Sequence, residues 1–301
     1  MNNHYNNELN IKYFDNINEL INQLTTLTNT GKYVFRGYNT QDQRYPLIIR
    51  DTDYSTYEFE FLDQFEKYGS HYFSANTVID FLSYAQHYGL PTRLLDFTFN
   101  PFIALSFSLF QTKSNGKYKY ADDKLYYNIC YSDLNENIHL NSLPLHSAFT
   151  FGSFESASIS VKCKNDMQFY FDCFDSNSSK IRNDYIKGLY RCDYSQVVSY
   201  DDYSPIITKK IESEKLCFID PNQSNQRIIM QQGLFMLPYT LDKMKHIELI
   251  ERNTNVIRIH KNLRESLLKY LDTLGYNTFR LMPDLSSICQ AVTQKVKNKK
   301  I

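Results

Sequence analysis

One stretch constrains this chain more than any other: residues 76–110, NTVIDFLSYAQHYGLPTRLLDFTFNPFIALSFSLF. An amphipathic segment carrying Val78, Phe81, Leu82 and Ala85 runs to Tyr88, with Asn76 or Thr77 as its cap. Gly89 and Pro91 then force a turn, because a proline disfavours helical geometry at the residue before it. Asn100 followed by Pro101 opens a second helix, the proline at its first position. Residues 102–110 are apolar nearly all round, so that helix must be buried. Thr92, Arg93, Asp96 and Thr98 therefore lie between two packed helices. Charges so close to a core need a partner. Arg93 and Asp96 fit one side of a helical turn, either as an ion pair that fixes the loop or as contacts to an anion or a ribose. Gln86 and His87 fall one turn earlier. A histidine at a helix C-terminus is stabilised when charged and titrates near neutral pH, so His87 is either structural or a base.

The flanking sequence is simpler. Residues 1–14 begin polar and gain Tyr13 and Phe14, as a frayed arm or a short strand. Asn16 caps a helix with Glu19 three residues on, and Ile17, Leu20, Ile21, Leu24 and Leu27 form its apolar face. Residues 33–37, Tyr-Val-Phe-Arg-Gly, read as a strand ending at glycine. Arg36 there could hold a phosphate through its donor fork or make a salt bridge at the sheet edge. Gly37 suits a place where backbone must approach something closely. Residues 39–56 are polar, and 57–68 predict a helix. Residues 111–124 read as a solvated loop and 125–131 as a strand. The part between 135 and 210 has little periodicity and suits an insertion, with a strand or helix near 167–171. Beyond it, 216–219, 234–237, 247–250 and 256–259 are strand candidates. A short helix carries Arg227 and Gln231 and ends at Gly233. Residues 263–274 form an amphipathic helix closed by Gly275, followed by a turn at 279–282 and a last helix capped by Asp284. Helices lead and strands follow, which predicts an α+β fold around a mixed or antiparallel sheet. The domain layout is an N-terminal helix and arm over 1–30 and a main domain over 31–295.

Composition narrows the function classes. Lys plus Arg and Asp plus Glu are both 33, so the formal net charge is zero and bulk charge does not favour nucleic acid. The Lys- and Tyr-rich stretches 111–127 and 205–215 could still offer a local basic surface. With 25 Tyr, 21 Phe and no Trp, the rings are either compositional or platforms for a base. The six cysteines form no C-x-x-C pair, so neither a zinc site nor a staple framework is expected. No apolar run reaches the length of a membrane span and the first residues are polar, which fits a cytoplasmic protein. No phosphate-loop, dinucleotide, nucleophile-elbow or zinc-protease signature is present.

The Phe35-Arg36-Gly37 triplet, the Tyr45-Pro46-Leu47-Ile48 segment with Arg50, and the block over residues 86–105 together resemble the FRG domain, named for its Phe-Arg-Gly triplet. The Arg227-Ile228, Gln231, Gly233 and Phe235 run and the segment 271–285 are similar to later elements of that family. Phe97 stands where the family usually has Trp. That resemblance implies an accessory or effector module of bacteria or their phages. The strand arginine is also similar to that of ADP-ribosyltransferase-fold enzymes. That likeness implies an ADP-ribosyltransferase-like sheet and an NAD-consuming enzyme, a transferase or glycohydrolase acting as toxin or antiphage effector. Arg36 with Gly37 would hold the NAD phosphate or ribose, Thr92, Arg93 and Asp96 would shape the pocket, Arg227 would also bind the cofactor, and His87 would touch the ribose or diphosphate. Gln231 would take the position of the transferase glutamate. Because a carboxamide has no full charge, Asp96 would then be the acid, or the site would bind without turnover. The alternative is a module that binds a nucleotide, a nucleic acid or a protein partner without catalysis.

Overall fold

The computed structural model describes residues 11–50, 57–69, 71–73, 78–109, 112–114, 117–119, 125–140, 157–164, 166–173, 207–210, 215–221, 226–237, 243–282, 289, 292, 293 and 296. In chain order the strands are β1 (Ile11–Phe14), β2 (Tyr33–Tyr38), β3 (Leu95–Thr98), β4 (Thr112–Ser114), β5 (Lys117–Lys119), β6 (Tyr126–Asp133), β7 (Ile138–Leu140), β8 (Ala157–Lys164), β9 (Asp166–Cys173), β10 (Ile207–Lys210), β11 (Cys217–Ile219), β12 (Gly233–Leu237) and β13 (Asn255–His260). The helices are α1 (Ile17–Asn29), α2 (Leu47–Arg50), α3 (Glu58–Gly69), α4 (Val78–His87), α5 (Pro101–Leu109), α6 (Gln226–Gln231), α7 (Lys243–Asn253), α8 (Arg264–Thr273) and α9 (Thr278–Leu281).

Eight strands form one mixed sheet in the order β1-β13-β6-β2-β3-β12-β11-β7. The outer pairs β1/β13 and β11/β7 are parallel and the pairs between them antiparallel. β8, β9 and β10 make a separate three-stranded antiparallel sheet, and β4 and β5 a hairpin. The strand over β9 contains the segment 167–171, while most of 135–210 lies outside the described residues.

Two cores flank the large sheet. On one side Phe35, Tyr127, Ile129, Ile257 and Ile259 pack against α1, α5 and α8 through Leu20, Leu24, Leu105, Leu109, Leu267 and Leu271. On the other, Val34, Tyr38, Cys130, Phe218, Leu234 and Met236 pack against Leu249 and Ile250 of α7. Successive strand residues point to opposite faces, so neighbours such as Val34 and Phe35 serve different cores. α1 thus shares its core with β2, β6 and β13. Asn16 caps it as expected, its side chain accepting from the amides of Asn18 (2.9 Å) and Glu19 (3.4 Å).

Three expectations about local structure change. Residues 247–250 belong to α7, not to a strand: His246, Leu249 and Ile250 are the buried positions, the spacing of one helix face. Asp96 sits on β3, so it and Arg93 do not share a helical turn. The polar segment after β2 contains a 3-10 turn over Gln41–Arg44 and the one-turn helix α2, which buries Ile48 and Ile49. The cap residues Asn76, Thr77 and Asp284 lie outside the described residues.

Candidate functional site

The Phe-Arg-Gly triplet divides its labour three ways. Phe35 is fully buried in the α1/α5/α8 core. Gly37 lies against the backbone of α5. A Cβ added there would stand 1.7 Å from the carbonyl oxygen of Ala104 and 2.7 Å from the amide nitrogen of Ser108. No side chain fits, so the close approach anticipated for this glycine is to a helix rather than to a ligand.

Arg36 is the strut between them. Its Nε and Nη2 both donate to the Gln43 carbonyl, at 3.0 and 2.8 Å, and its Nη1 donates to the Asp96 carbonyl at 2.6 Å. The side chain is 12% exposed, and Nη1 lies 3.8 Å from the Asp96 carboxylate. Burial lowers its pKa and the Asp96 charge pulls it back up. β2 and β3 are paired at a single position, Phe35 with Thr98. One residue past that pair, the guanidinium bridges to β3 where ladder bonds would otherwise continue.

A cleft of about 240 Å³ opens at this seam, lined by Arg36, Gly37, Gln43, Arg50, Asp96, Thr98, Arg227, Gln231 and the apolar Phe35, Phe97, Ala104, Phe107 and Met282. Three arginines thus face one carboxylate. Asp96 is held from several directions. Its carboxylate accepts from Gln86 Nε2 at 2.7 Å, and the Gln86 carbonyl oxygen accepts from the Thr92 hydroxyl at 2.5 Å. That hydroxyl also accepts the Leu94 amide at 3.3 Å, so the chain of bonds fixes which end of the Gln86 amide meets Asp96. Asp96 itself remains 55% exposed, which removes the buried Arg93–Asp96 pair as a description of the loop.

On the far wall, Gln231 ends α6. Its Nε2 donates to the Leu281 carbonyl at 2.7 Å, and its own carbonyl accepts from the Thr98 hydroxyl at 2.7 Å. The left-handed turn that follows falls on Gln232 (φ 46°), with Gly233 already the first residue of β12. Arg50 donates from Nε to the Tyr45 carbonyl at 2.8 Å. Burial, followed by the nearby Arg36 charge, brings its pKa down to about 10, against the opposing pull of Asp96 and Asp42.

The cleft therefore gathers Arg36, Gly37, Asp96, Arg227 and Gln231 from the expected set. His87, Thr92 and Arg93 do not line it. Thr92 and Arg93 are 1% and 2% exposed, so Thr92 acts through Gln86, and Arg93 is part of the packed loop. Arg50 and Gln43 were not singled out by sequence. Arg50 carried a signal, as the charged residue of the Tyr45-Pro46-Leu47-Ile48 segment. Gln43 serves Arg36 through a backbone carbonyl, which no side-chain reading detects. Among the described residues, no group of three His, Cys, Asp or Glu side chains could hold a metal ion, and no helix is long and apolar enough to cross a membrane.

Residues 31–117 match the family model of the FRG domain. The match contains β2, Arg50, the Gln86-Thr92-Asp96 chain and α5. Arg227 and Gln231 lie beyond it yet close the same cleft. No curated protein matches the chain, and no solved structure does.

Proposed function

We propose that the cleft binds NAD by its phosphate-bearing part and that the chain cleaves the bond between ribose and nicotinamide, as a glycohydrolase or an ADP-ribosyltransferase. The observation that carries this reading is the convergence of Arg36, Arg50 and Arg227 beside the carboxylate of Asp96. Arginines suit phosphate oxygens. A carboxylate held in place suits the positive charge that develops on the ribose as nicotinamide leaves. In that step the C1′–nitrogen bond breaks and its electron pair departs with nicotinamide. Water or an acceptor then bonds to C1′ and releases its proton. The cleft is smaller than the roughly 300–1,000 Å³ usual for small-molecule sites, which suits one end of the dinucleotide with the rest outside. An ADP-ribosyltransferase-like fold belongs to this same proposal.

A second reading is favoured by Gln231. Its amide is tied to Leu281, and it brings no charge to the wall where transferases have glutamate. The same cleft then serves a nucleotide-binding module without turnover. Purified protein incubated with NAD separates the two. Nicotinamide release that disappears in Asp96→Asn, with NAD binding retained by calorimetry, supports the enzyme. Binding without release in the wild type supports the module. Absence of both overturns the NAD reading.

A further inference from the structure

The three cleft arginines are not equivalent. Arg36 commits Nε, Nη1 and Nη2 each to a backbone carbonyl, so at least three of its five N–H donors are used within the protein. Arg50 donates Nε to the Tyr45 carbonyl at 2.8 Å. Among the described residues neither of its terminal nitrogens has a hydrogen-bond partner, and both belong to a residue lining the cleft. Its backbone, by contrast, is fixed. Ile48 and Ile49 of α2 are buried, the Ile48 amide donates to the Thr92 carbonyl at 3.4 Å, and the Ile49 amide donates to the Pro46 carbonyl at 3.1 Å.

We propose that Arg50 is the principal anion-holding residue of the cleft, set beside an immobile Arg36, and that the group they take is a phosphomonoester or diphosphate. This deepens the nucleotide reading and rests on it for the rest of the ligand. Two guanidinium groups kept close among aromatic walls repel one another, and a bound anion relieves that cost. Arg36 and Arg50 line the cleft beside a half-exposed Asp96 carboxylate, so an anion that takes the Arg50 donor fork adds the negative charge this pair lacks. The division of roles also explains the carbonyl bonds of Arg36. They hold its charge in place without neutralising it, while the free end of Arg50 supplies the donor fork that matches phosphate oxygens.

The test uses the full chain and three probes, inorganic pyrophosphate, ADP-ribose and adenosine, measured by calorimetry for the wild type, Arg50→Gln and Arg50→Lys. The proposal expects pyrophosphate and ADP-ribose to bind the wild type and to weaken about ten- to a hundredfold in Arg50→Gln. Arg50→Lys should recover part of the loss, adenosine should be indifferent, and both variants should melt cooperatively. ADP-ribose binding that is equal in wild type and Arg50→Gln overturns this inference and leaves the nucleotide reading standing. Pyrophosphate binding that is lost in Arg50→Gln, without any binding or cleavage of NAD, does the reverse. Binding of neither phosphate probe by the wild type overturns both.

Discussion

Arg36 and Arg44 stand at the two ends of one short segment and solve the same problem differently. Both are largely withdrawn from water, at 12% and 4% side-chain exposure. Arg36 is bonded to the carbonyls of Gln43 and Asp96, with the half-exposed Asp96 carboxylate farther off at 3.8 Å, whereas Arg44 bonds a carboxylate directly, Glu251 on α7, at 3.3 Å. A second contact sets the Arg44 guanidinium 5.9 Å from the ring of Tyr38. Among the described residues its Nε and Nη2 have no hydrogen-bond partner. The fully buried imidazole of His246 lies 6.3 Å from the Tyr45 ring, and among the described residues neither of its nitrogens has a hydrogen-bond partner. Carbonyl dipoles orient an arginine and a longer contact to a half-exposed carboxylate offsets its charge only in part, whereas a direct carboxylate bond at a buried guanidinium offsets it more fully. Arg36 is therefore built for a cleft and Arg44 for a clamp between the 3-10 turn and α7.

The contrast can be broken experimentally. The largest effect is expected at Gly37, where Gly37→Ala forces a methyl into the backbone of α5 and should cost about 3 kcal/mol or more in urea unfolding. A small cost would mean that β2 and α5 can part, and that Arg36 is less fixed than its bonds imply. Arg36→Met leaves two carbonyls without donors and should cost about 2–3 kcal/mol. Arg44→Met should cost less, about 1 kcal/mol or under, because the partner Glu251 is 37% exposed and can hydrate. Equal costs for the two would erase the distinction between strut and clamp.

His246 sharpens the clamp side through pH. Burial pushes its pKa down to about 3 from an ordinary 6.5. A histidine whose folded pKa is depressed contributes stability fully above 6.5 and loses it as pH falls toward 3, by roughly 1.4 kcal/mol per pH unit. His246→Leu should remove that slope and raise stability at neutral pH by about 1–2 kcal/mol. An unchanged acid limb in the variant would assign the slope to other groups. The smallest effect on stability is expected for Asp96→Asn, within about 0.5–1 kcal/mol, since Arg36 bonds the Asp96 backbone and the exposed carboxylate adds little. A larger loss would make Asp96 a second clamp.

Much of this was legible before the structure, for identifiable reasons. The Asn16 cap, the buried α5 and the strands around Phe35 and Ile257 follow from spacing and capping chemistry that the fold leaves intact. The segment 247–250 misled because a short apolar run carries either period, and only the contacts of His246 and Leu249 decide. In the motif block, the residue types were readable but not their directions. Asp96 turns outward between buried Leu95 and Phe97 because Leu95–Thr98 is a strand that alternates its faces, while Gln86 and Thr92 support it and Arg93 is packed into the loop before that strand. Gln43 was invisible because its contribution is a carbonyl. Arg227 and Gln231 reach the cleft from more than a hundred residues away in sequence, a closure only topology supplies.

The single register point between β2 and β3 has one more consequence. A ladder joined at Phe35 and Thr98 alone is a joint within an otherwise continuous sheet, and the cleft lies across it. Whatever occupies the cleft spans both leaves of that joint and adds a tie that the backbone omits. Occupancy and sheet rigidity then become one variable: amide exchange in β2 and β3 should slow together when the cleft is filled, while β6 and β13, joined along six residues, keep their own pace.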